Sequence, residues 1–180
     1  MAKIIYVTGG AQSGKARWAV NYMGSLDNVI YMCAFGRIRQ SIESRIRFHC
    51  EKNGINWDIQ ADSRNLSELV RGHKFAILDN LAEFTERAIR EKCDNLADIS
   101  QEQRREIENQ VSDEIAELIW EVKEINGTLL ILSIEMGLSP TPSDPSQEIF
   151  RKILGNINQR IASKATEVYL LVSGIPSKIK

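Results

Sequence analysis

The chain has 180 residues, 43% apolar and 26% charged, and its 23 basic and 24 acidic side chains leave a net charge of −1. This length and apolar content predict a single domain over residues 1–180 that can bury a sizeable core. The near-neutral balance excludes a global field that would attract nucleic acid or an anionic membrane surface. Any anionic ligand must therefore be bound by a local site.

The three cysteines, Cys33, Cys50 and Cys93, form an odd set without C-x-x-C spacing. They predict neither a disulfide framework nor a zinc site, so a reducing compartment is expected. The first ten residues hold too few apolar side chains for a signal peptide, and no later run approaches the length of a membrane span. The expectation is a cytoplasmic protein without a membrane span.

Short runs rich in β-branched and aromatic residues predict strands at residues 3–8, 29–35, 75–81, 128–134 and 167–173. Their nearly continuous apolar character is typical of a parallel sheet buried on both faces. Helical patterns fill the gaps, at about 15–24, 37–52, 64–71, 81–93, 101–125 and 147–165. The alternation predicts an α/β fold with a mostly parallel central sheet and helices on both faces. Ligands of such folds bind beyond the carboxyl ends of the strands.

The segment 137–146 carries three of the four prolines and has no helical period. It predicts a mobile surface loop. The loop is either a lid over a ligand or an ordinary solvated connection, and the residues alone favour neither.

A glycine-rich turn follows the first predicted strand. Its sequence, GGAQSGKA at residues 9–16, matches the phosphate-binding pattern G-x-x-x-x-G-K-S/T except at the last position. In such turns backbone N–H groups and the amino end of a helix bind phosphate oxygens, while the glycines avoid obstruction by a Cβ. The alternative is a plain glycine-rich turn. The predicted nucleotide-binding residues are Gly9, Gly10, Ala11, Gln12, Ser13, Gly14, Lys15 and Ala16.

Ala16 stands where the pattern places the hydroxyl that ligates Mg²⁺. Phosphate binding is expected to survive this change, because backbone groups and Lys15 supply it. Mg²⁺ is expected to rely on a carboxylate from a neighbouring strand end, and Asp79 is the candidate metal ligand. The alternative role of Asp79 is to cap the following helix.

Arg45 and His49 lie four residues apart in a predicted helix and therefore share one face. A neutral imidazole can attack phosphorus, and an adjacent guanidinium would stabilise the charge that develops on the phosphoryl oxygens. Lys15, Arg45 and His49 are therefore the candidate catalytic residues. The alternative is a half-buried stripe that His49 shares with Ile42 and Ile46.

Three stretches together resemble one family, the bifunctional adenosylcobinamide kinase/adenosylcobinamide-phosphate guanylyltransferases of cobalamin biosynthesis. They are the loop VTGGAQSGKA, the pattern R-I-x-x-H with Trp57 eight residues after His49, and the ending GNINQRIASKATEVYLLVSGIPSKIK. The resemblance spans essentially the whole chain and implies a RecA-like P-loop NTPase fold and a homotrimer. It implies that ATP or GTP phosphorylates adenosylcobinamide, after which GTP guanylylates a histidine that passes GMP to the new phosphate.

When the family's roles are transferred to the matching positions of this chain, the resemblance implies that His49 is the guanylylated histidine and that the glycine turn holds the triphosphate. Asp79 matches the acidic residue at the end of the central strand. The resemblance also implies nucleotide contacts just beyond the histidine, from Cys50, Glu51, Lys52 and Asn53. The implied substrates are GTP or ATP and a corrinoid, with Mg²⁺ as the cofactor and no nucleic-acid partner.

The chain departs from the family pattern at several positions. The loop serine is Ala16, D-C-x-T becomes DNLA at 79–82, N-E-V-G-x-G becomes IEMGLS at 134–139, and F-R-D becomes FRK at 150–152. These changes concern groups that hold metal, nucleotide or corrinoid rather than the core. Three hypotheses stay open: an enzyme with both activities, a guanylyltransferase without the kinase step, and a nucleotide-binding paralogue without turnover that serves as a regulatory or structural subunit.

Overall fold

The computed structural model of the chain describes residues 1–36 and 38–180. Within these residues the strands are β1 (Lys3–Gly9), β2 (Val29–Cys33), β3 (Trp57–Gln60), β4 (Phe75–Asp79), β5 (Thr128–Leu132), β6 (Glu167–Val172) and β7 (Ile175–Lys178). The helices are α1 (Lys15–Met23), α2 (Gln40–Asn53), α3 (Leu66–Leu69), α4 (Leu81–Lys92), α5 (Gln101–Glu124) and α6 (Pro145–Lys164), with a 3-10 turn at Leu96–Asp98.

The strands form one sheet in the order β3-β2-β4-β5-β1-β6-β7. All neighbouring pairs are parallel except β6 and β7, which form an antiparallel hairpin. β1 lies inside the sheet between β5 and β6, so the turn that follows it opens at the carboxyl edge among the ends of other strands. The prediction of a mostly parallel sheet is confirmed.

Helices cover both faces of the sheet, because successive side chains of the buried strands point to opposite sides. Ile5 and Val7 of β1 pack into a core with α1 and α2, whereas Ile4 and Tyr6 pack into a second core with α3 to α6. Both sides of the central strands are therefore sealed from water, as the continuous apolar runs predict.

The sequence prediction missed two strands, and both are edges of the sheet. In β3 only Trp57 is buried, and in β7 all four residues are exposed. Edge strands bury little, so neither carries the apolar run that revealed the central strands.

Several predicted boundaries differ from the structure. The strands predicted to end at residues 35 and 81 end at Cys33 and Asp79, and the helix predicted at 64–71 is a single turn. The predicted start of α2 at residue 37 lies outside the described residues, and the observed helix begins at Gln40.

The proline-rich loop ends where Asp144 caps α6 by accepting a hydrogen bond from the Ser146 N–H, at 2.8 Å. Its role as a lid stays a prediction. Among the described residues, no helix combines the length and the apolarity needed to cross a bilayer.

The β6–β7 hairpin supports the turn that follows β1. Gly9 has a φ of +152°, and a Cβ on it would collide with the Leu171 carbonyl oxygen of β6. The Gly174 N–H, between β6 and β7, donates to the Ser13 carbonyl at 2.8 Å. Gly14 has a φ of +91°, and its Cβ would lie 3.3 Å from the Gly174 Cα. Two glycines of the turn are thus required by the backbone itself, whereas a Cβ on Gly10 would meet no protein atom within 4 Å.

Gly9→Ala is expected to destabilise the protein by about 1–3 kcal/mol, because the positive φ and the Leu171 carbonyl both oppose a Cβ. Gly10→Ala is the matched control, and its effect should stay within about 0.5 kcal/mol. Urea unfolding followed by circular dichroism measures both free energies. Equal stabilities of the two variants would contradict this account of the turn.

Candidate functional site

Lys15 is the first residue of α1, and its ammonium group folds back over the glycine turn. Its Nζ donates to the Gly9 and Gly10 carbonyls at 2.9 and 2.8 Å and to Ser13 Oγ at 3.3 Å. Burial lowers the pKa of Lys15, the Asp79 charge opposes this, and the Arg39 charge adds to it. The turn thus presents the amino end of a helix and a partly buried lysine side chain at one point, which is an arrangement suited to phosphate.

A cavity of about 630 Å³, here called the phosphate cavity, opens beside this turn. The turn and α1 line one wall, and the carboxyl end of β4 with the start of α4 lines another. Arg39, Ser41 and Ile42 reach it from the start of α2, and Ser173 and Gly174 reach it from the hairpin. Of the residues that line the phosphate cavity, the sequence analysis named only the turn and Asp79 as site residues. The resemblance of the chain's last residues to the family was the one indication that the hairpin takes part.

Asp79 faces the phosphate cavity from the end of β4. Its Oδ2 accepts a hydrogen bond from the Tyr31 hydroxyl and lies 3.5 Å from an Arg39 guanidinium nitrogen. Burial and then Asp79 itself raise the pKa of Tyr31 well above its ordinary value, so the phenol remains a donor. The alternative role of Asp79 as a helix cap is wrong, because Asn80 caps α4: its Oδ1 accepts from the Glu83 N–H at 3.1 Å.

Glu83 is a second carboxylate on the phosphate cavity, and the sequence analysis did not single it out. Burial raises the pKa of Glu83, and the nearby Asp79 raises it further. A buried carboxylate whose charge is disfavoured by a neighbouring carboxylate is a fitting environment for a cation. The one feature of the sequence that could have indicated Glu83 is its place in the first turn of α4, four residues after Asp79.

Mg²⁺ fits this pair of carboxylates better than it fits the glycine turn. Ala16 is 5% exposed and packs in the apolar core, and the Ser13 hydroxyl is already engaged with Lys15. Among the described residues there is no cluster of three or more His, Cys, Asp or Glu side chains that would hold a metal alone. Mg²⁺ commonly binds one or two carboxylates together with substrate phosphates and water, and Asp79 and Glu83 match that donor set.

His49 lies near the carboxyl end of α2 and packs against the carboxyl end of α1. Its Nε2 is 3.1 Å from Asn21 Oδ1, which also accepts a hydrogen bond from Arg45 at 3.3 Å. The imidazole lies directly over Gly24, where a Cβ would be 2.5 Å from Nδ1. Burial lowers the pKa of His49, and the positive charges of Arg45 and Lys52 lower it further. The imidazole is thus held in its neutral, nucleophilic form.

The structure pairs Arg45 with His49 but does not bring either to the glycine turn. Asn21 follows Lys15 by six residues, about 9 Å along the axis of α1, and neither Arg45 nor His49 lines the phosphate cavity. The expectation that a triphosphate on the turn lies within reach of the imidazole stays a prediction. The alternative apolar stripe holds for Ile42 and Ile46, which are buried, whereas His49 is half-buried.

The residues just beyond His49 also lie away from the phosphate cavity. Cys50 is half-buried, and burial raises the pKa of its thiol. Asn53 donates to the Gly24 carbonyl at 2.8 Å, so it fastens α2 to the end of α1. Glu51 and Lys52 are exposed. A nucleotide role for these four residues stays a prediction.

Comparison with known proteins gives a consistent match over the chain. The family model described as cobinamide kinase / cobinamide phosphate guanyltransferase matches residues 5–179. The bifunctional adenosylcobalamin biosynthesis protein CobU of Salmonella typhimurium is 30% identical, covering 98% of this chain and 99% of the relative. Its Escherichia coli K12 namesake is 27% identical with the same coverage. A KaiC-like protein of Pyrococcus horikoshii OT3 aligns with a TM-score of 0.52 at 15% identity, over 93% of this chain and 71% of that one. This last similarity concerns the fold and supports the RecA-like prediction.

Arg45→Ala is expected to raise the pKa of His49, because a positive charge that favours the neutral imidazole is removed. In the unchanged protein His49 should titrate below the ordinary value of about 6.5. Since the folded-state pKa is the lower one, the stability that this packing contributes is present above about pH 6.5 and is lost as the pH falls.

NMR titration of the imidazole Cε1–H signal measures this pKa, and the signal is assigned by its loss in His49→Gln. Arg47→Ala is the matched control, because Arg47 is exposed and pairs with Glu43 at 3.3 Å. A His49 midpoint that is the same in Arg45→Ala as in the unchanged protein would contradict the described effect of the Arg45 charge.

Proposed function

The chain belongs to the cobinamide kinase / cobinamide phosphate guanyltransferase family, and we propose that it catalyses both reactions. In the first, ATP or GTP phosphorylates the aminopropanol hydroxyl of adenosylcobinamide. In the second, GMP passes from GTP through a guanylyl-histidine to that phosphate, and pyrophosphate leaves. The observation that carries the proposal is the phosphate cavity, where Lys15, the amino end of α1 and two carboxylates face one space.

The kinase step follows from the groups that line the phosphate cavity. Backbone N–H groups of the turn and Lys15 would bind the triphosphate, and this positioning and charge neutralisation supply most of the catalysis in phosphoryl transfer. The acceptor oxygen forms a bond to the γ-phosphorus while the bond to the β–γ bridging oxygen breaks. The hydroxyl proton passes to solvent as the new bond forms. Mg²⁺, held by Asp79 and Glu83 with the phosphates, would supply further charge neutralisation there.

The guanylyl step assigns the nucleophile to His49 and the charge-stabilising group to Arg45. An imidazole nitrogen would bond to the α-phosphorus of GTP as the bond to pyrophosphate breaks, and GMP would then pass to cobinamide phosphate. This step requires α2 to leave its present place or GTP to bind near the end of α1. The attachment of α2 supports the first route, since only Ile42 and Ile46 are buried on it. Its hydrogen bonds to Asn21 are exposed, and the Asn53 bond to the Gly24 carbonyl is the one that would have to break.

The same proposal includes a single domain, a cytoplasmic location and a homotrimer, as the family resemblance implies. One sheet with a core on each face supports the single domain. Val172, Ile175 and Ile179 are 60–71% exposed along the β6–β7 edge, and such apolar exposure supports a contact between subunits.

Incubation with Mg²⁺, adenosylcobinamide and GTP labelled at the α or the γ phosphate tests both reactions. The unchanged protein is expected to carry acid-labile α-label and to transfer γ-label to cobinamide. His49→Ala should lose the α-label and keep the kinase reaction, whereas Lys15→Ala should lose γ-transfer by on the order of a hundredfold or more.

The outcomes separate the three hypotheses. If only the α-label is transferred, the protein is a guanylyltransferase without the kinase step. If neither label is transferred but a fluorescent GTP analogue still binds, the protein is a paralogue without turnover. An α-label that persists in His49→Ala would overturn the assignment of the nucleophile.

Asp79→Asn and Glu83→Gln should each reduce, on the order of tenfold, the gain in GTP affinity that Mg²⁺ provides. The reason is that each variant removes one charged oxygen ligand from the phosphate cavity. Fluorescent GTP analogue binding, titrated with Mg²⁺ and with EDTA, measures the gain. Glu86→Gln is the matched control on the same helix, since Glu86 pairs with Arg90 on the exposed surface. If Mg²⁺ raises the GTP affinity of Asp79→Asn and Glu83→Gln as much as that of the unchanged protein, these residues do not bind the metal.

A further inference from the structure

A second cavity, of about 550 Å³, lies between α6 and the face of the sheet formed by β1 and β6. We call it the α6 cavity. Tyr6 and Thr8 of β1 line it, together with residues 135–137 after β5 and with Leu154 and Gly155 of α6. Its volume is in the range of small-molecule sites. The family comparison gives it no role.

Two buried hydroxyl groups of the α6 cavity have no partner within the described residues. Tyr6 is 2% exposed and Thr8 is 6% exposed, yet neither Tyr6 Oη nor Thr8 Oγ1 makes a hydrogen bond of good geometry there. The Ser133 and Thr8 side chains lie close enough to Tyr6 to lower its pKa against the effect of burial. Leaving a buried polar group unpaired is unfavourable, so each such group needs an explanation. Both side chains line the cavity, and a ligand in it would supply the missing partners.

The inner end of the α6 cavity suits an uncharged polar group. Burial raises the pKa of Tyr6 to about 12, so both hydroxyls are neutral and can donate. At the rim, Arg151 and Lys152 are paired with Glu148 at 3.4 and 3.3 Å, which offsets their charges. Leu154, Ala162 and Val168 supply apolar parts of the wall, and Asn156, Asn158 and Gln159 of α6 add side-chain amides. A carboxamide meets these conditions, because its carbonyl accepts hydrogen bonds and its attached chain is apolar.

The α6 cavity adjoins the phosphate cavity through one short segment. The Glu135 N–H donates to the Gly9 carbonyl at 3.1 Å, which joins the end of β5 to the glycine turn. Ile134 lines the phosphate cavity, and the next residue, Glu135, lines the α6 cavity. A molecule anchored in the α6 cavity would therefore lie beside a triphosphate on the turn.

We propose that the α6 cavity binds a primary-amide arm of the corrinoid acceptor, with the Tyr6 and Thr8 hydroxyls donating to the amide carbonyl. The inference rests on the proposed function. Corrinoids carry several such arms around a ring bordered by methyl groups, and the cavity is large enough for an arm but not for the ring with all of its substituents.

Gly155→Leu tests the site by filling it. A Cβ on Gly155 would meet no atom within 4 Å, and Gly155 lines the cavity, so a larger side chain starts from open space at the cavity wall. Gly155→Ala is the matched control for the loss of glycine. With dicyanocobinamide as the coloured probe in equilibrium dialysis, Gly155→Leu is expected to weaken binding at least about tenfold, and Gly155→Ala to leave it within about twofold.

Tyr6→Phe and Thr8→Val test the hydroxyl groups themselves. Each is expected to weaken dicyanocobinamide binding by about threefold to tenfold, the usual effect of one lost hydrogen bond. Thermal unfolding should show no loss of stability in Tyr6→Phe, because the deleted hydroxyl is unpartnered in the free protein. Fluorescent GTP analogue binding should be unchanged in all four variants.

Two results would overturn the proposal, and they are distinguishable. If the unchanged protein binds dicyanocobinamide but Gly155→Leu, Tyr6→Phe and Thr8→Val bind it equally well, the corrinoid lies elsewhere and the proposed function stands. If the unchanged protein binds no dicyanocobinamide, with or without a non-hydrolysable GTP analogue, both the α6 cavity site and the proposed function fail.

Discussion

The contact between the glycine turn and the β6–β7 hairpin is the constraint on which the candidate site depends. The turn has few stabilising side chains of its own, because glycine and small residues dominate it. Its shape comes from the hairpin: the Leu171 carbonyl fills the space beside Gly9, and the Gly174 N–H binds the Ser13 carbonyl. A support of this kind leaves the N–H groups at the start of α1 free for phosphate, since the hairpin uses a carbonyl of the turn.

The end of the chain forms the hairpin and is tied to the rest of the sheet by ion pairs. Lys3 and Lys178 both pair with Glu167, at 3.2 and 3.3 Å, and so tie β1 and β7 to β6. Exposed ion pairs of this sort contribute little stability individually, but they fix the register of a strand that buries no side chain. This tail supplies geometry that the turn needs, and its residues Ser173 and Gly174 also line the phosphate cavity.

The phosphate site and His49, which carry the two proposed reactions, lie at opposite ends of α1. Its amino end forms the phosphate site, and its carboxyl end holds His49 through Asn21 and Gly24. The sequence predicted the sheet, the turn and the Arg45–His49 pair, because apolar runs, a fixed motif and helical spacing are local signals. It could not predict that α2 crosses α1 at the far end, since that depends on the fit of an imidazole over a glycine without a side chain. The same limit applies to Glu83 and Arg39, whose positions follow from tertiary packing.

The segment after β5 is where the two cavities meet. Ile134 contributes to the wall of the phosphate cavity, and Glu135 and Gly137 contribute to the wall of the α6 cavity. In the proposed reactions the acceptor must approach the γ-phosphate across this wall, so its side chains determine how closely the two substrates can meet. The Glu135 carboxylate accepts from the Gly137 N–H at 2.6 Å, which holds the segment in a tight turn. A change at Ile134 therefore alters the lining of the passage, whereas the contact from the Glu135 N–H to the Gly9 carbonyl, which supports the glycine turn, uses only backbone atoms.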